Sequence, residues 1–554
     1  MLFRILFIAF FVFSTVPLAN AEQKAKKYAI ASAHALASKA GEEVLLAGGN
    51  AFDAAVAISA ALAVVEPFGS GIGGGGFWLL HDAKNNKDIV IDGREVAPLA
   101  ATKDMYLDEA GNLTRHSIDG PLAAGIPGVI AALDLITNQY GELLLKQNLL
   151  PAIRHAKHGF KVGPHYSKLA KLRLNAIRQS KDASDIFLHN NEPPKLGHVI
   201  RQYDLANTLT LVAEQGADVF YKGMLAKLLV KGTRQAGGIW SKEDLARYHV
   251  YVREPIQTQY YGLDIILPPP PTSGGVVITQ ILAMLEDNES LNLQSVDSMH
   301  KVVEAMRRAY QDRAIYLGDP AYTDIPMQYL LSKQYAKNKF KNFNPIKASS
   351  SKKLSQIIRE QGENTTHFSV LDAEGNYVAA TLSINYPFGS GFVVPGTGVL
   401  LNDEMDDFSM GENVANVWGL VGSSANSIEP GKRMLSSMTP LFARDNNKVL
   451  IVGTPGGSRI ISMLALAILK YQQGATATDI VSQRRFHHQY IPDEIQFEKN
   501  ALSQEEQNQL MSKGHKLKQL SRRYGNMHAI IWDRENKLID AASDPRGEGL
   551  SIVH

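Results

Sequence analysis

The segment ENTTHFSVLDAEGNYVAATLSIN, residues 363–385, decides the fold and the chemistry predicted for this chain. An alternating run begins at Thr365 or Thr366, a turn cluster follows at 372–376, and a second extended run occupies 377–384. Two extended runs joined by a turn that contains Gly and Asn predict a β-hairpin. The first strand of this hairpin therefore begins directly after a polar loop.

The abrupt start of that strand makes Thr365 a candidate nucleophile. If the chain is cut between Asn364 and Thr365, the threonine gains a free α-amine beside its own hydroxyl. An α-amine titrates at roughly 7.7–8.0 and can accept the hydroxyl proton near neutral pH. The same residues also suit an ordinary loop-to-strand junction, since threonine is common in strands, and they match a glycosylation sequon.

Three further hairpins are predicted, so the chain supplies strands from four separate places. They lie at 77–92, 441–453 and 528–542, each with Asp and Asn in the turn. Helical patterns occupy 29–65 and most of 121–340. Strands pooled from distant parts of a chain and covered by helices indicate stacked antiparallel sheets with helical outer layers. The expected fold class is α/β, a four-layer αββα sandwich.

The glycine-rich run GSGIGGGG, residues 69–76, predicts a tight backbone crossing rather than a nucleotide-binding loop. Gly71, Gly73 and Gly76 match G-x-G-x-x-G, but a dinucleotide-binding loop follows a strand and opens a helix. Here a helix is predicted before the run and a strand after it. The pattern therefore favours close backbone packing at positions where side chains would clash.

Composition and charge exclude several functional classes. The 57 Lys and Arg residues against 55 Asp and Glu give a net charge of +2, and no basic block stands out. This balance argues against nucleic acid as the main partner. The chain has no cysteine, which excludes thiol catalysis, disulfides and cysteine-bound metals. An exported protein of this size without disulfides suits a bacterial periplasm.

The amino-terminal residues predict an export signal, residues 1–21. Arg4 precedes an apolar stretch that runs to about Val16, and Ala19-Asn20-Ala21 is a small-residue cleavage site. The apolar stretch is shorter than the roughly 20 residues of a membrane-spanning helix. We expect cleavage after Ala21 and a periplasmic location, with an uncleaved membrane anchor as the alternative. No other segment is expected to span a membrane.

Charged residues at two places are candidate ligand contacts. Arg94 follows a predicted strand, where its guanidinium can grip a carboxylate through two hydrogen bonds or form a plain salt bridge with Glu95 or Asp92. Four acidic residues between 403 and 407 can bind an amine by charge-assisted hydrogen bonds, or they form a solvated turn. Their spacing is not that of a calcium loop, so no metal site is predicted.

Several other segments have a predicted role near a site. The TPGGS turn at 454–458 lies between a strand and a helix, and its backbone N–H groups can bind an anion or an oxyanion. The proline-rich run at 268–275 lines a cleft or acts as a rigid connector. Loop 410–422, with Trp418, is a lid or a packed surface loop. The polar run 347–363 is a natural place for a chain break, and His487 and His488 are expected in the core or at a helix end.

Taken together, these motifs resemble those of the γ-glutamyltranspeptidases, which are secreted N-terminal-nucleophile hydrolases. The resemblance covers nearly the whole mature chain, and its motifs are specific because they occur in this order. They are GGNAFDAAVA at 48–57, GGGGF at 73–77, DGREVAP at 92–98, PPPTSGG at 269–275, LGDP at 317–320, NTTHFSV at 364–370, NDEMDDFS at 402–409, KRMLSSM at 432–438, TPGGSRI at 454–460 and RFHHQ at 485–489.

The resemblance implies that the precursor cleaves itself before Thr365. The threonine hydroxyl attacks the Asn364 carbonyl, and the resulting ester is hydrolysed. The products are a large subunit, 22–364, and a small catalytic subunit, 365–554, which remain associated as a heterodimer. Thr365 then attacks the γ-amide of glutathione or a related γ-glutamyl compound. Water, an amino acid or a peptide resolves the γ-glutamyl-enzyme, and no cofactor is implied.

The resemblance also assigns a set of site residues. Gly456 and Gly457 match the oxyanion N–H donors, and Ser383 matches a residue whose hydroxyl supports the nucleophile. The residues that bind the substrate form the larger group: Arg94, Ser436 and Ser437 for the α-carboxylate, Asn385, Glu404 and Asp407 for the α-amino group, together with Ser383 and Gly457. A zwitterionic head group needs one cationic and one anionic wall, which is what this set provides.

Two of these positions, and the expected lid residue Trp418, depart from common family patterns. Ser383 stands where many members have threonine, so the donor is kept and the stiffening methyl is lost. Glu404 stands where enterobacterial-type members have Gln, which adds a negative charge near the amine. Trp418 replaces a lid tyrosine, and tryptophan can only donate through its indole N–H, so the hydrogen bond from the lid to Asn385 is in doubt.

Alternative functions stay open at this point. An acylase for glutaryl-cephalosporin-type amides has the same fold, but its substrates lack the α-amine that Glu404 and Asp407 would bind. A poly-γ-glutamate processing enzyme is another relative. A periplasmic amino acid or peptide-binding protein is the alternative without catalysis, and it needs no chain break. A serine hydrolase is disfavoured because the chain has no G-x-S-x-G elbow.

Overall fold

The computed structural model describes residues 27–286, 291–351, 365–410 and 424–554. The predicted export signal at 1–21, Asn364 on the amino-terminal side of the expected cleavage, and Trp418 in the expected lid lie outside the described residues. Most of the polar run before Thr365 lies outside them as well.

Strands from both halves of the chain build the centre of the molecule. In chain order they are β1 (Ala29–Ser32), β2 (Gly75–Asp82), β3 (Lys87–Asp92), β4 (Phe160–Lys161), β5 (Val199–Ile200), β6 (Tyr251–Arg253), β7 (Ile256–Tyr260), β8 (Leu263–Leu267), β9 (Thr365–Leu371), β10 (Tyr377–Ser383), β11 (Val393–Val394), β12 (Val399–Leu400), β13 (Leu441–Arg444), β14 (Lys448–Gly453), β15 (Phe486–His487), β16 (Ile495–Phe497), β17 (Leu517–Gln519), β18 (His528–Asp533), β19 (Leu538–Ser543) and β20 (Leu550–Val553).

Two antiparallel sheets contain most of these strands. The first has seven strands in the order β20-β1-β9-β10-β2-β3-β6, and the second has six in the order β19-β18-β14-β13-β8-β7. Neighbouring strands run antiparallel throughout both sheets. The four predicted hairpins are confirmed as β2–β3, β9–β10, β13–β14 and β18–β19.

The two sheets stack face to face, and alternate residues of a strand enter different cores. Phe77 and Leu79 of β2 pack in the layer between the sheets, with Phe442, Ile451 and Ile530 from the second sheet. Trp78 and Leu80, which alternate with them in β2, belong instead to the core under the helices. This division follows from the period of two in a strand, whose successive side chains point to opposite faces.

Helices cover the outer face of each sheet. In chain order they are α1 (Ala35–Leu46), α2 (Ala51–Val65), α3 (Val129–Tyr140), α4 (Leu145–His158), α5 (Pro164–Leu172), α6 (Leu174–Gln179), α7 (Lys181–Phe187), α8 (Tyr203–Gln215), α9 (Asp218–Tyr221), α10 (Met224–Gln235), α11 (Lys242–Arg247), α12 (Gly274–Leu285), α13 (Val296–Tyr316), α14 (Met327–Leu330), α15 (Lys333–Phe340), α16 (Arg459–Gln472), α17 (Ala477–Ser482) and α18 (Gln504–Ser512). The alanine-rich α2 lies against β9 and β10, while α12 and α16 lie against the second sheet. The expected four-layer αββα sandwich is confirmed.

Two predictions of helix were wrong in part. The segment from Ala29 is a strand for four residues before α1 begins, because β1 fills the gap between β9 and β20. The stretch 251–267 is not helical, since β6 completes the first sheet and β7 and β8 complete the second. Both errors arise where pairing with distant strands overrides local pattern. In the parts of the chain that the structure describes, no helix combines the length and apolarity needed to cross a membrane.

The glycine-rich run connects α2 to β2, as predicted, and lets three backbone segments cross closely. A Cβ at Gly73 would lie 2.1 Å from the Leu400 carbonyl oxygen, and one at Gly74 would lie 2.2 Å from the Ser383 carbonyl oxygen. Both contacts are with backbone atoms, which cannot swing away. The carbonyl of Gly74 also accepts hydrogen bonds from the N–H groups of Gly128 and Val129.

We predict that Gly74→Ala lowers the free energy of unfolding by about 1–3 kcal/mol, because the added methyl must displace the end of β10. The matched control is Gly71→Ala in the same run, where the nearest atom to an added Cβ is a side-chain carbon of Ile384 at 3.4 Å. We expect the control to change stability by less than about 1 kcal/mol. Urea unfolding followed by tryptophan fluorescence measures both variants. Equal stability of the two would contradict the close crossing.

Candidate active site

A pocket of about 280 Å³ lies at the ends of β9 and β10. It is lined by Arg94, Thr365, Ser383, Asn385, Glu404, Asp407, Ser436, Ser437, Met438, Gly457 and Ile460. The pocket thus brings together nine of the residues proposed from the sequence, although they come from segments up to several hundred positions apart. Gly456 is the neighbour of Gly457 and is not part of the lining.

Thr365 and Ser383 face each other across the β9–β10 ladder. Thr365 opens β9 and is the register partner of Ser383, the last residue of β10. Their hydroxyl oxygens are 3.3 Å apart. The Ser383 hydroxyl accepts a hydrogen bond from the Asn385 N–H at 2.8 Å, so its own proton can be directed at the Thr365 oxygen. The pair can therefore hold the Thr365 hydroxyl in one orientation.

The Gly456-Gly457 turn supplies backbone N–H donors next to this hydroxyl. It lies between the end of β14 and the start of α16, and both residues have positive φ, 139° and 56°. Their carbonyls accept from the N–H groups of Arg459 and Ile460, which start the helix. Among the described residues, neither glycine N–H has a hydrogen-bond acceptor. Such donors at a helix start suit the stabilisation of a developing oxyanion.

Arg94 lies at the centre of the charged wall of the pocket, and every N–H of its guanidinium is used. Its Nε donates to the Met434 carbonyl at 3.2 Å. Its Nη1 donates to Glu95 Oε2 at 3.2 Å and to Glu404 Oε2 at 2.5 Å. Its Nη2 donates to Asp407 Oδ2 at 2.5 Å and to a backbone carbonyl at 3.4 Å. A guanidinium has five N–H donors, so none is left over for a ligand in this arrangement.

Three carboxylates surround this single cation, which leaves an excess of acid. Glu404 Oε1 and Glu95 Oε1 are buried and have no hydrogen-bond partner among the residues that the structure describes. Burial raises the pKa of Asp407 to about 8, against the opposing effect of Arg94. Burial also raises the pKa of Glu95 well above its ordinary value. Both shifts favour the protonated form of these carboxyl groups when the pocket is empty.

The acidic segment is not a solvated turn, which was one of the two predictions for it. Residues Glu404–Asp407 form a 3-10 turn, and Glu404 and Asp406 are buried. Asp406 is turned away from the pocket and accepts a hydrogen bond from the Ser117 hydroxyl at 2.7 Å. The neighbouring Asn385 has a positive φ of 70° and donates from Nδ2 to the Asp403 carbonyl at 3.0 Å.

A second part of the pocket lining carries the Ser436 and Ser437 hydroxyls. Ser436 Oγ accepts from the Met438 N–H at 3.1 Å, and Ser437 Oγ accepts from Arg313 Nη2 at 3.2 Å. Neither hydroxyl donates to an acceptor within the described ranges, so each has a proton available for a ligand. Two available O–H donors in one lining suit an anion such as a carboxylate.

The proline-rich segment braces these serines and does not itself line the pocket. The Ser273 N–H and hydroxyl both donate to the Ser436 carbonyl, at 2.8 and 2.7 Å. The Ser436 N–H donates in return to the Pro271 carbonyl at 2.8 Å. The segment is thus a rigid support, and α12 starts directly after it at Gly274.

Sequence reasoning missed two functional neighbours of this pocket. Glu95 was considered only as a salt-bridge partner of Arg94, whereas it is a third buried carboxylate of the cluster. No local pattern in the sequence marks Arg313 on α13. His487 and His488 are buried, as expected, and lie outside the residues that line the pocket.

Comparisons with known proteins agree on one family. The family model described as gamma-glutamyltranspeptidase matches residues 37–553. The chain is 40% identical over 531 residues to the glutathione hydrolase proenzyme of Escherichia coli (strain K12), which covers 94% of this chain and 91% of that protein. The crystal structure of the cephalosporin acylase from Bacillus halodurans is similar, with a TM-score of 0.83 at 27% identity, and covers 95% of this chain and 96% of that one. The Helicobacter pylori gamma-glutamyltranspeptidase structure matches 57% of this chain and 92% of its own, with a TM-score of 0.56 at 40% identity.

We predict that Arg94→Met lowers the free energy of unfolding by about 3–5 kcal/mol, because it leaves buried carboxylates without their cation. Adding Glu404→Gln and Asp407→Asn to this variant should recover part of the loss. The matched control is Arg154→Met, which removes an exposed pair with Glu43 and should cost less than about 1 kcal/mol. Denaturant unfolding measures all three. A loss for Arg94→Met no larger than for the control would refute the charge cluster described above.

Proposed function

The chain belongs to the γ-glutamyltranspeptidase family, and we propose that it is a periplasmic γ-glutamyltranspeptidase and glutathione hydrolase whose nucleophile is an amino-terminal Thr365. Membership rests on the family model, which matches residues 37–553, and on a relative at 40% identity. We base the choice of substrate on the excess of buried carboxylate groups beside Thr365. These groups suit a substrate with an α-ammonium group.

Cleavage between Asn364 and Thr365 would create this nucleophile and two subunits, 22–364 and 365–554. The sheets give a reason for the subunits to stay together. In the first sheet, β9 from the small subunit lies next to β1, and β10 lies next to β2, both from the large subunit. In the second sheet, β13 from the small subunit lies next to β8 from the large one. Backbone hydrogen bonds of both sheets would thus cross the subunit boundary, and separating the subunits would unpair them.

The proposed reaction begins at the new chain end. The α-amine of Thr365 takes the proton of its hydroxyl as the oxygen attacks the γ-carbonyl of the substrate. The N–H groups of Gly456 and Gly457 bind the oxyanion, while Ser383 holds the attacking hydroxyl. The proton then passes to the leaving amine, and a γ-glutamyl ester of Thr365 remains. Water or an acceptor amine repeats the sequence and releases the γ-glutamyl group.

Binding of the substrate head group would proceed by exchange of ion pairs. In the empty pocket, Arg94 donates to Glu404 and Asp407. An entering α-carboxylate can take over these donors, and the α-ammonium can take over the released carboxylates. The free Glu404 Oε1 and the available protons of Ser436 and Ser437 add donors and acceptors to the exchange. The head group brings one positive and one negative charge, so each buried group that loses a partner gains another of the same sign. The desolvation cost of the buried groups is thereby offset.

The second candidate is an acylase for glutaryl amides, which the Bacillus halodurans structure favours by its fold. A glutaryl group would add a negative charge next to Glu95, Glu404 and Asp407 and would bring no ammonium to compensate it. The acidic excess therefore argues against this substrate class. A poly-γ-glutamate processing activity would use the same head-group contacts. A binding protein without catalysis would need neither a chain break nor oxyanion donors.

We predict that Thr365→Ala yields one uncut and inactive chain, because the alanine has no hydroxyl for either self-cleavage or acyl transfer. The control is Thr365→Ser, which keeps the hydroxyl and should still be cut at the same bond. A denaturing gel, intact mass and amino-terminal sequencing of both bands report the cleavage, and release of p-nitroaniline from L-γ-glutamyl-p-nitroanilide reports turnover. Cleavage or turnover by Thr365→Ala would refute the assigned nucleophile.

We predict that Asp407→Asn lowers kcat/KM for γ-glutamyl-p-nitroanilide by roughly 30-fold or more, since an ammonium loses a buried charged partner. Glutaryl-p-nitroanilide should be affected far less. In the wild type, the ratio of kcat/KM for the γ-glutamyl over the glutaryl substrate should rise as the pH increases through 8, because Asp407, with its pKa raised to about 8, is then ionised. Both substrates react with the same Thr365 amine, so the effect of its ionisation on kcat/KM cancels in this ratio.

The pH profile of Asp407→Asn should lack that rise. Equal losses on both substrates, or an unchanged pH profile of the ratio, would remove the argument that this residue recognises an amine.

A further inference from the structure

Arg313 is a buried cation directly behind the serine wall of the pocket. It lies on α13, and 5% of the residue is exposed. Its Nε donates to the Ser273 hydroxyl at 2.9 Å, and its Nη2 donates to the Ser437 hydroxyl at 3.2 Å. Within the part of the chain that the structure describes, it forms no ion pair. By contrast, the buried Arg433 and Arg485 are paired with Asp92 and Asp544.

The absence of a counter-ion makes Arg313 costly to the fold in the empty state. Burial lowers the pKa of Arg313 to about 10, while the negative charge of Asp407 is among the groups that oppose this shift. The guanidinium is therefore still protonated at neutral pH. A buried charge without an opposite charge destabilises a protein, so an anion that enters the neighbouring pocket would offset this cost.

Arg313 also determines where the Ser437 hydroxyl proton points. The Ser437 oxygen accepts from the guanidinium, so its proton must be donated elsewhere, and this residue lines the pocket. Ser273 accepts from Arg313 and donates to the Ser436 carbonyl at 2.7 Å. One guanidinium thus contacts the Ser437 hydroxyl directly and, through the Ser273 hydroxyl, braces the backbone carbonyl of Ser436.

We propose that Arg313 is a positioning residue for the α-carboxylate of the substrate, which it serves by orienting Ser437 and Ser436 and by adding positive charge behind them. Arg94 does not supply a net positive charge to the pocket, since it is surrounded by the carboxylates of Glu95, Glu404 and Asp407. Arg313 acts through the serines and does not line the pocket itself. The proposal rests on the proposed function, because it requires a substrate with a carboxylate at this position.

The test compares the mature wild type with Arg313→Met on three p-nitroanilides that differ in the head group. The L-γ-glutamyl compound has both α-carboxylate and α-ammonium, the glutaryl compound keeps only the carboxylate, and the 4-aminobutyryl compound keeps only the ammonium. For Arg313→Met, we expect kcat/KM to fall roughly 10- to 100-fold on the two carboxylate-bearing substrates, mainly through KM. The value for 4-aminobutyryl anilide should stay close to that of the wild type. Equal losses on all three compounds would overturn the proposal.

Two comparisons separate positioning from a purely structural role. Arg308→Met alters a buried arginine of the same helix that pairs with Glu304, so it should lower stability without changing the ratios among the three substrates. If Arg313 acts through Ser437, the double variant Arg313→Met/Ser437→Ala should lose no more carboxylate preference than the more impaired single variant. Additive losses would contradict this coupling.

Two other substitutions at the same position serve as the test if Arg313→Met fails to fold. If Arg313→Met does not mature, Arg313→Lys and Arg313→Gln take its place in the same assay, and the lysine variant should keep more of the carboxylate preference because it keeps the charge. Equal preference in the lysine and glutamine variants would overturn the proposal. Failure of the wild type on all three anilides would reject the proposed function, whereas an active wild type with an unchanged Arg313→Met would reject this inference alone.

Discussion

The pairing of β9 with both β1 and β10 is the constraint on which the rest of the site depends. It fixes Thr365 at the end of a buried strand and opposite Ser383. The glycine run passes so close to the Ser383 carbonyl that this end of β10 has little freedom. A threonine at a frayed strand end would sample many positions, and a chain end would sample more. Thr365 pairs with Ser383 of β10, and β1 anchors the same strand further along, at Phe368–Leu371. This anchoring makes the start of β9 suitable for a reacting group.

Local patterns were sufficient for the parts of the fold that are local. The four hairpins were predictable because each combines two extended runs with a turn of Asp, Asn or Gly. The strand Ala29–Ser32 was not, because its pairing partners are Phe368–Leu371 and Leu550–Val553, hundreds of residues away. The same distinction applies to the site. Glu404 and Asp407 form a visible acidic cluster, whereas the importance of Arg313 appears only through its contact with Ser437, which lies 124 positions away.

The charge distribution of the empty pocket explains why Arg94 alone cannot account for carboxylate recognition. Each of its N–H donors already has an acceptor, and two of the acceptors are the carboxylates expected to bind the amine. The cation and the acids thus stabilise each other until a ligand provides both signs of charge. A ligand with a single charge can replace only one side of these pairs and leaves a buried group without its partner, which typically costs several kcal/mol. A zwitterion replaces both.

The two walls of the pocket would have different tasks under the proposed function. The wall of Ser436, Ser437 and Arg313 contains hydroxyl donors with a cation behind them, and it can bind the carboxylate of either a γ-glutamyl or a glutaryl group. Under the proposed function, the wall of Glu404 and Asp407 would distinguish the two groups, because only a γ-glutamyl group brings an ammonium to it. Affinity for the shared carboxylate and preference for the amine therefore depend on separate residues. Under the proposed function, a change at the acidic wall alone would change the substrate class, while the serine wall, Thr365 and the Gly456-Gly457 turn would be retained.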